Sequence, residues 1–301
     1  MRISVVTSTR NRPEHIGRAV RAVLESTHPD FDYTIVDQSA DERTRQAVVA
    51  AAAGDRRVRY FHRAEPGKSK AMNFGILQGN GPIVAFTDDD CEPRPDWLTT
   101  VARTFHEESV DIICGKVSCA PHDPTQGYIL GFDPVRPRVL AGPWTRIRHF
   151  GIGANLSVRR EVLERLGYLD EMIGPGGAIP SGDDTDLLYR AARAGYRILL
   201  SPEPEVVHYG YRSWGKESHK HGRGLCTSHA VPYVKYMRRR DPAAFYAYAR
   251  DILEQIHYAG ARALRRQRPT GANRLKYMLA GLRVGAQFPL DPETMRFRPP
   301  E

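Results

Sequence analysis

Cysteine is scarce: the 301-residue chain has four, Cys91, Cys114, Cys119 and Cys226. Their spacing matches no zinc pattern and predicts reduced, mostly buried thiols of a cytosolic protein. No stretch approaches the roughly 18 consecutive apolar residues that a membrane span requires. The N-terminus, Met1 to Val6, passes straight into a strand pattern with neither an apolar leader nor a cleavage site, so no secretory signal is expected. Ser8–Arg12, the polar break after that strand, contains no glycine. A nucleotidyltransferase would want a glycine-rich phosphate loop there, so this absence argues against that class. Internal repeats are also absent.

What is present bounds the chain further. Its length accommodates one large domain with an appendage, or two modest ones. Apolar content of 41% and charged content of 26% suit a soluble globular protein. The net charge of +9 favours polyanionic partners: nucleoside diphosphates, anionic lipid surfaces or nucleic acid. Basic residues crowd the C-terminal third, at Arg238–Arg240, Arg262, Arg265, Arg266, Arg268, Arg274, Lys276 and Arg283.

The most informative stretch is Val84-Ala85-Phe86-Thr87-Asp88-Asp89-Asp90-Cys91. A short apolar run reads as a buried strand and stops in three consecutive carboxylates. Like charges repel, so such a tip suits a bound cation. Oxygen ligands favour Mg²⁺ or Mn²⁺ over zinc, with water and substrate phosphates completing the shell. Taken alone, the tripeptide reads equally well as an exposed turn capping the next helix. Around it, strand patterns at Ile3–Thr7, Tyr33–Val36, Val58–Phe61, Ile83–Phe86 and Ile112–Val117 alternate with helical ones. This alternation predicts a Rossmann-like, mostly parallel, doubly wound sheet flanked by helices. Ligands of such sheets sit beyond the C-terminal strand ends, so Asp37 and Asp88–Asp90 are expected to share a crevice. Ser39 and Glu42 are spaced like a capping box for a helix running through Ala53.

Residues 120–150 show no clear element. Gly151–Val158 reads as a glycine-led strand. Gly174–Gly182 is a mobile loop by composition. It precedes a helix opening on Asp183-Asp184-Thr185-Asp186, whose acids suit a helix N-terminus electrostatically. Arg197–Leu200 and Val206–His208 read as two strands. Helical patterns follow over Val231–Arg239, Ala243–Arg266 and Asn273–Ala286.

Together these blocks resemble family 2 glycosyltransferases of the GT-A fold, over about residues 1–215. Val5–Arg12 resembles the family's opening strand and loop, which line the nucleotide, with Ser8 where Pro is common. Val36-Asp37-Gln38-Ser39 is similar to an Asp-Asp-Gly-Ser block whose first Asp contacts the base; Gln38 replaces the second. Gly67–Gly75 is similar to the family's Gly-x-x-x-Ala-x-Asn-x-Gly helix start beside the nucleotide. Asp88–Asp90 resembles Asp-x-Asp, and Gly153-Ala154-Asn155 a block near the transferred sugar. Asp183–Leu187 resembles Glu-Asp-x-Asp-Leu, which carries the catalytic base, with Asp183 in place of the usual Glu. His208 stands where some relatives have a further metal ligand.

The resemblance implies an inverting, metal-dependent enzyme that moves a sugar from a nucleoside-diphosphate sugar to an acceptor hydroxyl. The acceptor is a saccharide, a lipid-linked saccharide or a small molecule. Expected donor contacts are Thr7, Thr9, Arg10, Asp37, Lys68, Asn73, Asp88, Asp89 and Asn155. Asp90, Asp88 and His208 are expected to hold Mg²⁺ or Mn²⁺. Asp184, with Asp183 beside it, is expected to be the general base. Lys68, Lys70 or Arg63 supply positive charge near the diphosphate, or are solvated surface residues. The expected division is a GT-A domain at 1–215, its nucleotide half at 1–118 and acceptor half at 119–215, and a basic helical extension at 216–301. That extension either rests on an anionic membrane at the cytoplasmic face or makes an ordinary helical cap or homodimer contact. Its aromatic and aliphatic residues include Phe245, Tyr246, Tyr248, Ile252 and Leu253. The alternatives are a sugar-nucleotide nucleotidyltransferase and a non-catalytic nucleic-acid-binding protein. A carboxylate crevice without metal repels phosphates, so nucleic acid is not expected as a partner.

Overall fold

The computed structural model describes residues 1–265 and 270–299. The chain opens with β1 (Ile3–Thr9), α1 (Pro13–Leu24), β2 (Phe31–Asp37), α2 (Arg43–Ala52), β3 (Val58–His62), α3 (Lys68–Gln78) and β4 (Ile83–Phe86). It continues through β5 (Cys91–Pro93), α4 (Trp97–Glu107), β6 (Ile112–Cys119), β7 (Gly127–Tyr128), β8 (Arg138–Leu140), β9 (Leu156–Arg159) and α5 (Arg160–Arg165). Then come α6 (Asp183–Arg193), β10 (Ile198–His208), β11 (Arg212–Ser213), α7 (Lys216–Met237), α8 (Pro242–Leu264) and α9 (Thr270–Ala286).

Among the described residues, one sheet runs in the order β3-β2-β1-β4-β9-β6-β10-β5, with β8 also paired to β10. Strands β1 to β4 are mutually parallel where they pair. Alternation sets the two faces. Ile3, Val5, Ile83 and Ala85 pack with Ile16 and Val20 of α1 and with Trp97 and Leu98 of α4. Val6, Val84 and Phe86 pack with Met72 and Ile76 of α3 and with Leu187 and Leu188 of α6. Both faces are covered, so every residue of β2 is buried, as parallel strands require. Pro13 opens α1, where its missing N–H costs nothing.

Several expectations are corrected. The segment Gly153–Asn155 is a 3₁₀ turn, and the strand begins only at Leu156. That strand, β9, runs antiparallel to both neighbours, β4 and β6. It therefore starts at the edge where β4 ends, bringing Gly153 to the acidic tip. The two expected strands around residues 197–208 are one, β10, with a register shift against β6 between Leu200 and Glu205. The capping box does not form: Ser39 Oγ accepts the Asn11 N–H at 2.7 Å and donates to Thr44 Oγ1 at 2.8 Å. The glycine-rich loop is tied down. Gly174 N donates to Ile179 O (2.8 Å), Lys68 N to Pro175 O (2.8 Å) and Ser69 Oγ to Ile173 O (2.5 Å). Residues 120–150 supply the short strands β7 and β8 and a 3₁₀ turn at Ile147–His149.

The C-terminal helices share the core with the rest. Ala230 and Tyr233 of α7, Ala247 and Tyr248 of α8 and Met278 of α9 lie in one cluster with Leu187 and Leu188. Of the apolar residues singled out on α8, Phe245, Tyr246 and Leu253 are exposed, Tyr248 is buried and Ile252 packs on the core. Arg266 and Arg268 lie outside the described residues.

The deepest polar contact is a charge network under α6. Lys235 of α7 is fully buried, and its ammonium meets Asp186 Oδ1 at 2.5 Å and Asp170 Oδ2 at 2.7 Å. Arg190 meets the other oxygen of Asp186 at 2.8 Å and donates to the carbonyls of Leu166 and Tyr168. Asp170 Oδ2 also accepts the Phe297 N–H at 2.6 Å. Two cations thus offset two carboxylates where water cannot reach. Removing one cation leaves an uncompensated buried charge, which costs about 3–5 kcal/mol. Lys235→Met is therefore expected to lose roughly that much unfolding free energy in urea titration. A loss below about 1 kcal/mol would show that the carboxylates find another partner.

Candidate active site

The strand ends build a cleft of about 510 Å³. Its walls come from the end of β1 (Thr9) and the loop after it (Arg10, Arg12), the start of α3 (Lys68) and the acidic tip (Asp88–Asp90). Opposite stand the Gly153 turn, the first turn of α6 (Asp183, Asp184), the end of β10 (His208) and one face of α7 (Leu225, Ser228, His229). The antiparallel pairing of β10 with β5 sets His208 opposite Cys91, directly beside Asp90.

The three adjacent carboxylates have different partners. Asp88 Oδ1 accepts from Lys68 Nζ at 2.6 Å. Asp89 is buried; it accepts from Thr9 Oγ1 at 2.7 Å and from Arg12 Nη1 at 2.9 Å. Asp90 takes the same Arg12 nitrogen at 3.0 Å and lies 3.3 Å from His208 Nε2. Burial opposes ionisation of Asp90, but the hydrogen bond and charge of His208, then Arg12 and Lys68, hold its carboxyl well below the usual range. For Asp89 burial dominates and raises the carboxyl. Burial alone would lower His208, yet Asp90 raises it above the ordinary imidazole value.

The residues around Asp90 fit a divalent cation. His208 Nδ1 lies 2.7 Å from the Leu130 carbonyl. With Nδ1 donating there, loss of the Nε2 proton to a bound cation would leave a lone pair facing Asp90, the usual second-sphere arrangement of a metal-binding histidine. The ligand atoms of Asp90, Cys91 and His208 lie within 4.8 Å of one another. Burial and the neighbouring Asp88 and Asp90 push the Cys91 thiol well up in the absence of a metal. A Cβ at Gly210 would come within 2.4 Å of His208 Nε2 and 2.6 Å of Asp90 Oδ2, so glycine keeps this space open. Asp88 stands apart from that group, on Lys68.

The helix-start pair also divides. Asp184 Oδ2 accepts the Gly153 N–H at 2.6 Å and Oδ1 the Thr185 N–H at 2.6 Å, with its side chain only partly buried at the cleft wall. Asp183 is buried, and burial raises its carboxyl to about 6 against the pull of Lys68.

Four expected donor contacts stand behind the cleft wall. Thr7 donates to Thr87 O (2.9 Å) and accepts from Tyr33 Oη (3.1 Å). Asp37 accepts Ser39 N–H (2.8 Å) and Tyr60 Oη (2.7 Å). Asn73 bonds the backbone of Leu169 in both directions at 3.0 Å. Asn155 accepts from Trp97 Nε1 (2.8 Å) and donates to Lys116 O (2.9 Å) and Pro204 O (2.8 Å). It thereby satisfies carbonyls at the register shift of β10. Residues not anticipated in a binding role include Gly210, Ser228 and His229. Arg12 and Gly153 lay inside blocks expected beside the donor but were not singled out there.

A mostly parallel sheet with acidic residues gathered at its strand ends, continued by an antiparallel strand and a helical cap, is the GT-A fold. The chain belongs to glycosyltransferase family 2, whose model matches residues 4–167. It is 30% identical over 180 residues to an uncharacterized glycosyltransferase of Nostoc sp., covering 56% of this chain and 54% of the relative. It is 28% identical over 210 residues to glycosyltransferase AglE of Haloferax volcanii, covering 68% and 66% respectively. The chain thus spans about half to two thirds of the length of these relatives. The mannosyltransferase PcManGT from Pyrobaculum calidifontis superposes with a TM-score of 0.62 at 19% identity, over 95% of this chain and 87% of its own.

The raised carboxyl of Asp183 has a stability consequence. A folded value of about 6 against an unfolded value of 3.8 means that the fold favours the protonated acid. Its contribution is fully present below the unfolded value and is lost as pH rises towards 6. Asp183→Asn does not titrate, so its stability relative to the metal-free parent should improve by roughly 2 kcal/mol between pH 4 and pH 7. Urea titrations at both pH values measure this; a difference independent of pH would contradict it.

Proposed function

We propose that this protein transfers a sugar from a nucleoside-diphosphate sugar to an acceptor hydroxyl, with inversion, using Asp184 as the general base. The observation that carries the reading is the meeting of the Asp88–Asp90 tip and the Asp183–Asp184 helix start in one cleft. Family membership supports it, as does the binding of GDP-Man and Mn²⁺ by the structurally similar PcManGT. Asp90 and His208 would hold the divalent ion. When bound, such an ion acts as a Lewis acid that offsets charge on the departing diphosphate.

The chain's own groups do the rest. Lys68 and Arg10 bring positive charge to the cleft for the diphosphate. Asp184 takes the proton of the acceptor hydroxyl as that oxygen bonds to the anomeric carbon. The bond from that carbon to the phosphate oxygen breaks, and its electron pair leaves with the nucleoside diphosphate. Attack from the face opposite the leaving group inverts the centre and needs no second nucleophilic carboxylate. Both carboxylates line the cleft, and Asp184 suits the task better because its side chain is only partly buried, whereas Asp183 is buried beside Lys68. The tied-down loop at 174–182 helps keep water from the sugar.

A thermal-shift panel of nucleotide-sugars with Mn²⁺ selects the donor, because a ligand of the folded state raises the midpoint. With that donor, Asp184→Asn should lower turnover by roughly 10²-fold or more, while calorimetric donor affinity changes by less than about threefold. Asp90→Asn should instead weaken the Mn²⁺-dependent donor binding itself. Normal turnover by Asp184→Asn together with an inactive Asp183→Asn would move the base to Asp183.

A peripheral membrane contact is part of this reading. No helix among the described residues is long and apolar enough to cross a membrane. The outer face of α8 nevertheless exposes Phe245, Tyr246, Leu253 and Ile256, with Trp144 packed edge-on against Tyr246. Arg239, Arg240 and Arg250 supply charge that complements anionic lipid. Flotation with anionic vesicles but not with neutral ones is expected; absence from both would leave this face to a helical cap or dimer contact.

A further inference from the structure

A second cavity, of about 380 Å³, opens between the 3₁₀ turn at residues 147–149 and helices α7, α8 and α9. It shares Leu225 and His229 with the cleft that holds Asp184, so the two spaces adjoin along one face of α7. Its lining is mixed. Leu225, Cys226 and Met278 are apolar, and Arg148 and Arg274 are cationic. The two carboxylates nearby are already engaged. Asp251 accepts from Arg146, His229 (2.9 Å) and Tyr233 (2.7 Å), and Glu254 pairs with Arg146 (2.6 Å) and Arg148. Arg274 has no ion-pair partner among the described residues. Gln255, also in the lining, has a buried amide oxygen without a hydrogen-bond partner among the described residues. Surplus guanidinium charge suits an anionic group, and the unpaired amide oxygen of Gln255 would accept a hydrogen bond from a hydroxyl on an uncharged part of the same guest.

We propose that this cavity is the distal part of the acceptor site, and that the acceptor carries an anionic group, a phosphate or a carboxylate. The acceptor's hydroxyl lies at Asp184 in the cleft, the molecule passes Leu225 and His229, and its anion rests between Arg148 and Arg274. This rests on the glycosyl-transfer reading and adds the class of acceptor. The chemistry is unchanged: the acceptor proton goes to Asp184, and the arginines bind without taking part in bond making. Guanidinium groups pair with both phosphate and carboxylate, so the shared feature is the negative charge.

Two variants of the full chain test it. Gly222, on α7, lines the cavity, and a Cβ there meets no atom within 4 Å. Gly222→Trp therefore plugs open space, and removing a glycine from a helix interior favours folding. Arg274→Gln removes the unpaired charge at an exposed position. The readouts are nucleotide-sugar binding by thermal shift with Mn²⁺, and transfer to a neutral disaccharide, its phosphate ester and its uronate. Nucleotide-sugar binding should be unchanged in both variants, since neither residue lines the donor cleft. Gly222→Trp should lower transfer to a charged acceptor at least tenfold. Arg274→Gln should raise KM for a charged acceptor roughly tenfold and leave KM for the neutral one unchanged. Preference for the phosphate or the uronate in the parent identifies which anion is used. Wild-type transfer by a normally folded Gly222→Trp, or equal KM changes for charged and neutral acceptors in Arg274→Gln, would overturn the proposal. If the parent binds no nucleotide-sugar at all, the donor reading itself fails and this one with it.

Discussion

The placement of the cleft depends on a charge that never meets solvent. Lys235 reaches from α7 beneath α6 and is neutralised there by Asp170 and Asp186. Burying such groups is expensive, and only close pairing with additional hydrogen bonds makes it tolerable. Arg190 supplies the remaining compensation, with two backbone carbonyls completing its fork. Because Asp186 lies one turn into α6, the network fixes the start of that helix, where Asp183 and Asp184 face the cleft. Asp170 in turn holds the backbone at Phe297, near the end of the described chain. The helices beyond residue 216 therefore pack on the same core as the sheet, although the resemblance itself ends at about residue 215.

Within the cleft, the carboxylates outnumber the cations bonded to them. Arg12 and Lys68 serve Asp88, Asp89 and Asp90, and Lys68 also faces Asp183 and Asp184 electrostatically. This residual negative charge is what a divalent ion and the positive approach of Arg10 and Arg212 would balance. The same imbalance separates the roles of neighbouring residues. Asp90 is held ionised beside His208, whereas Asp89 and Asp183 are pushed towards the protonated acid by burial.

Much of this was legible in the sequence, because strand ends and helix starts are readable from period and polarity. Thr9, Lys68, Asp88–Asp90, Asp183, Asp184 and His208 all stand where an apolar run stops or a helix begins, and all line the cleft. Residues one step inside those edges were less readable. Thr7, Asp37, Asn73 and Asn155 have polar side chains at similar positions, but their hydrogen bonds are completed within the protein. Sequence spacing does not distinguish an Asn that faces a ligand from one that bridges Lys116 and Pro204. The direction of β9 was hidden as well, since four apolar-alternating residues read alike in either sense. Helix α7 was expected fifteen residues too late because Gly222, Gly224 and a run of polar residues interrupt its apolar period. Its first half lines the cleft and the second cavity, so the missed segment carried most of the unanticipated lining.

The strand β9 has a mechanical meaning. Its four residues join Ile83–Phe86 on one side to Ile112–Cys114 on the other. In the sheet's strand order it is the seam between the parallel half carrying Thr9, Lys68 and Asp88 and the half that ends in His208. The alignment of the two banks of the cleft is thus set by a joint four residues wide. A small change in twist at that joint is amplified with distance, so side chains at the far rim would move more than those at the acidic tip. Divergence among relatives sharing this fold can therefore reshape the outer rim through packing around β9, with the carboxylates at the centre left in register.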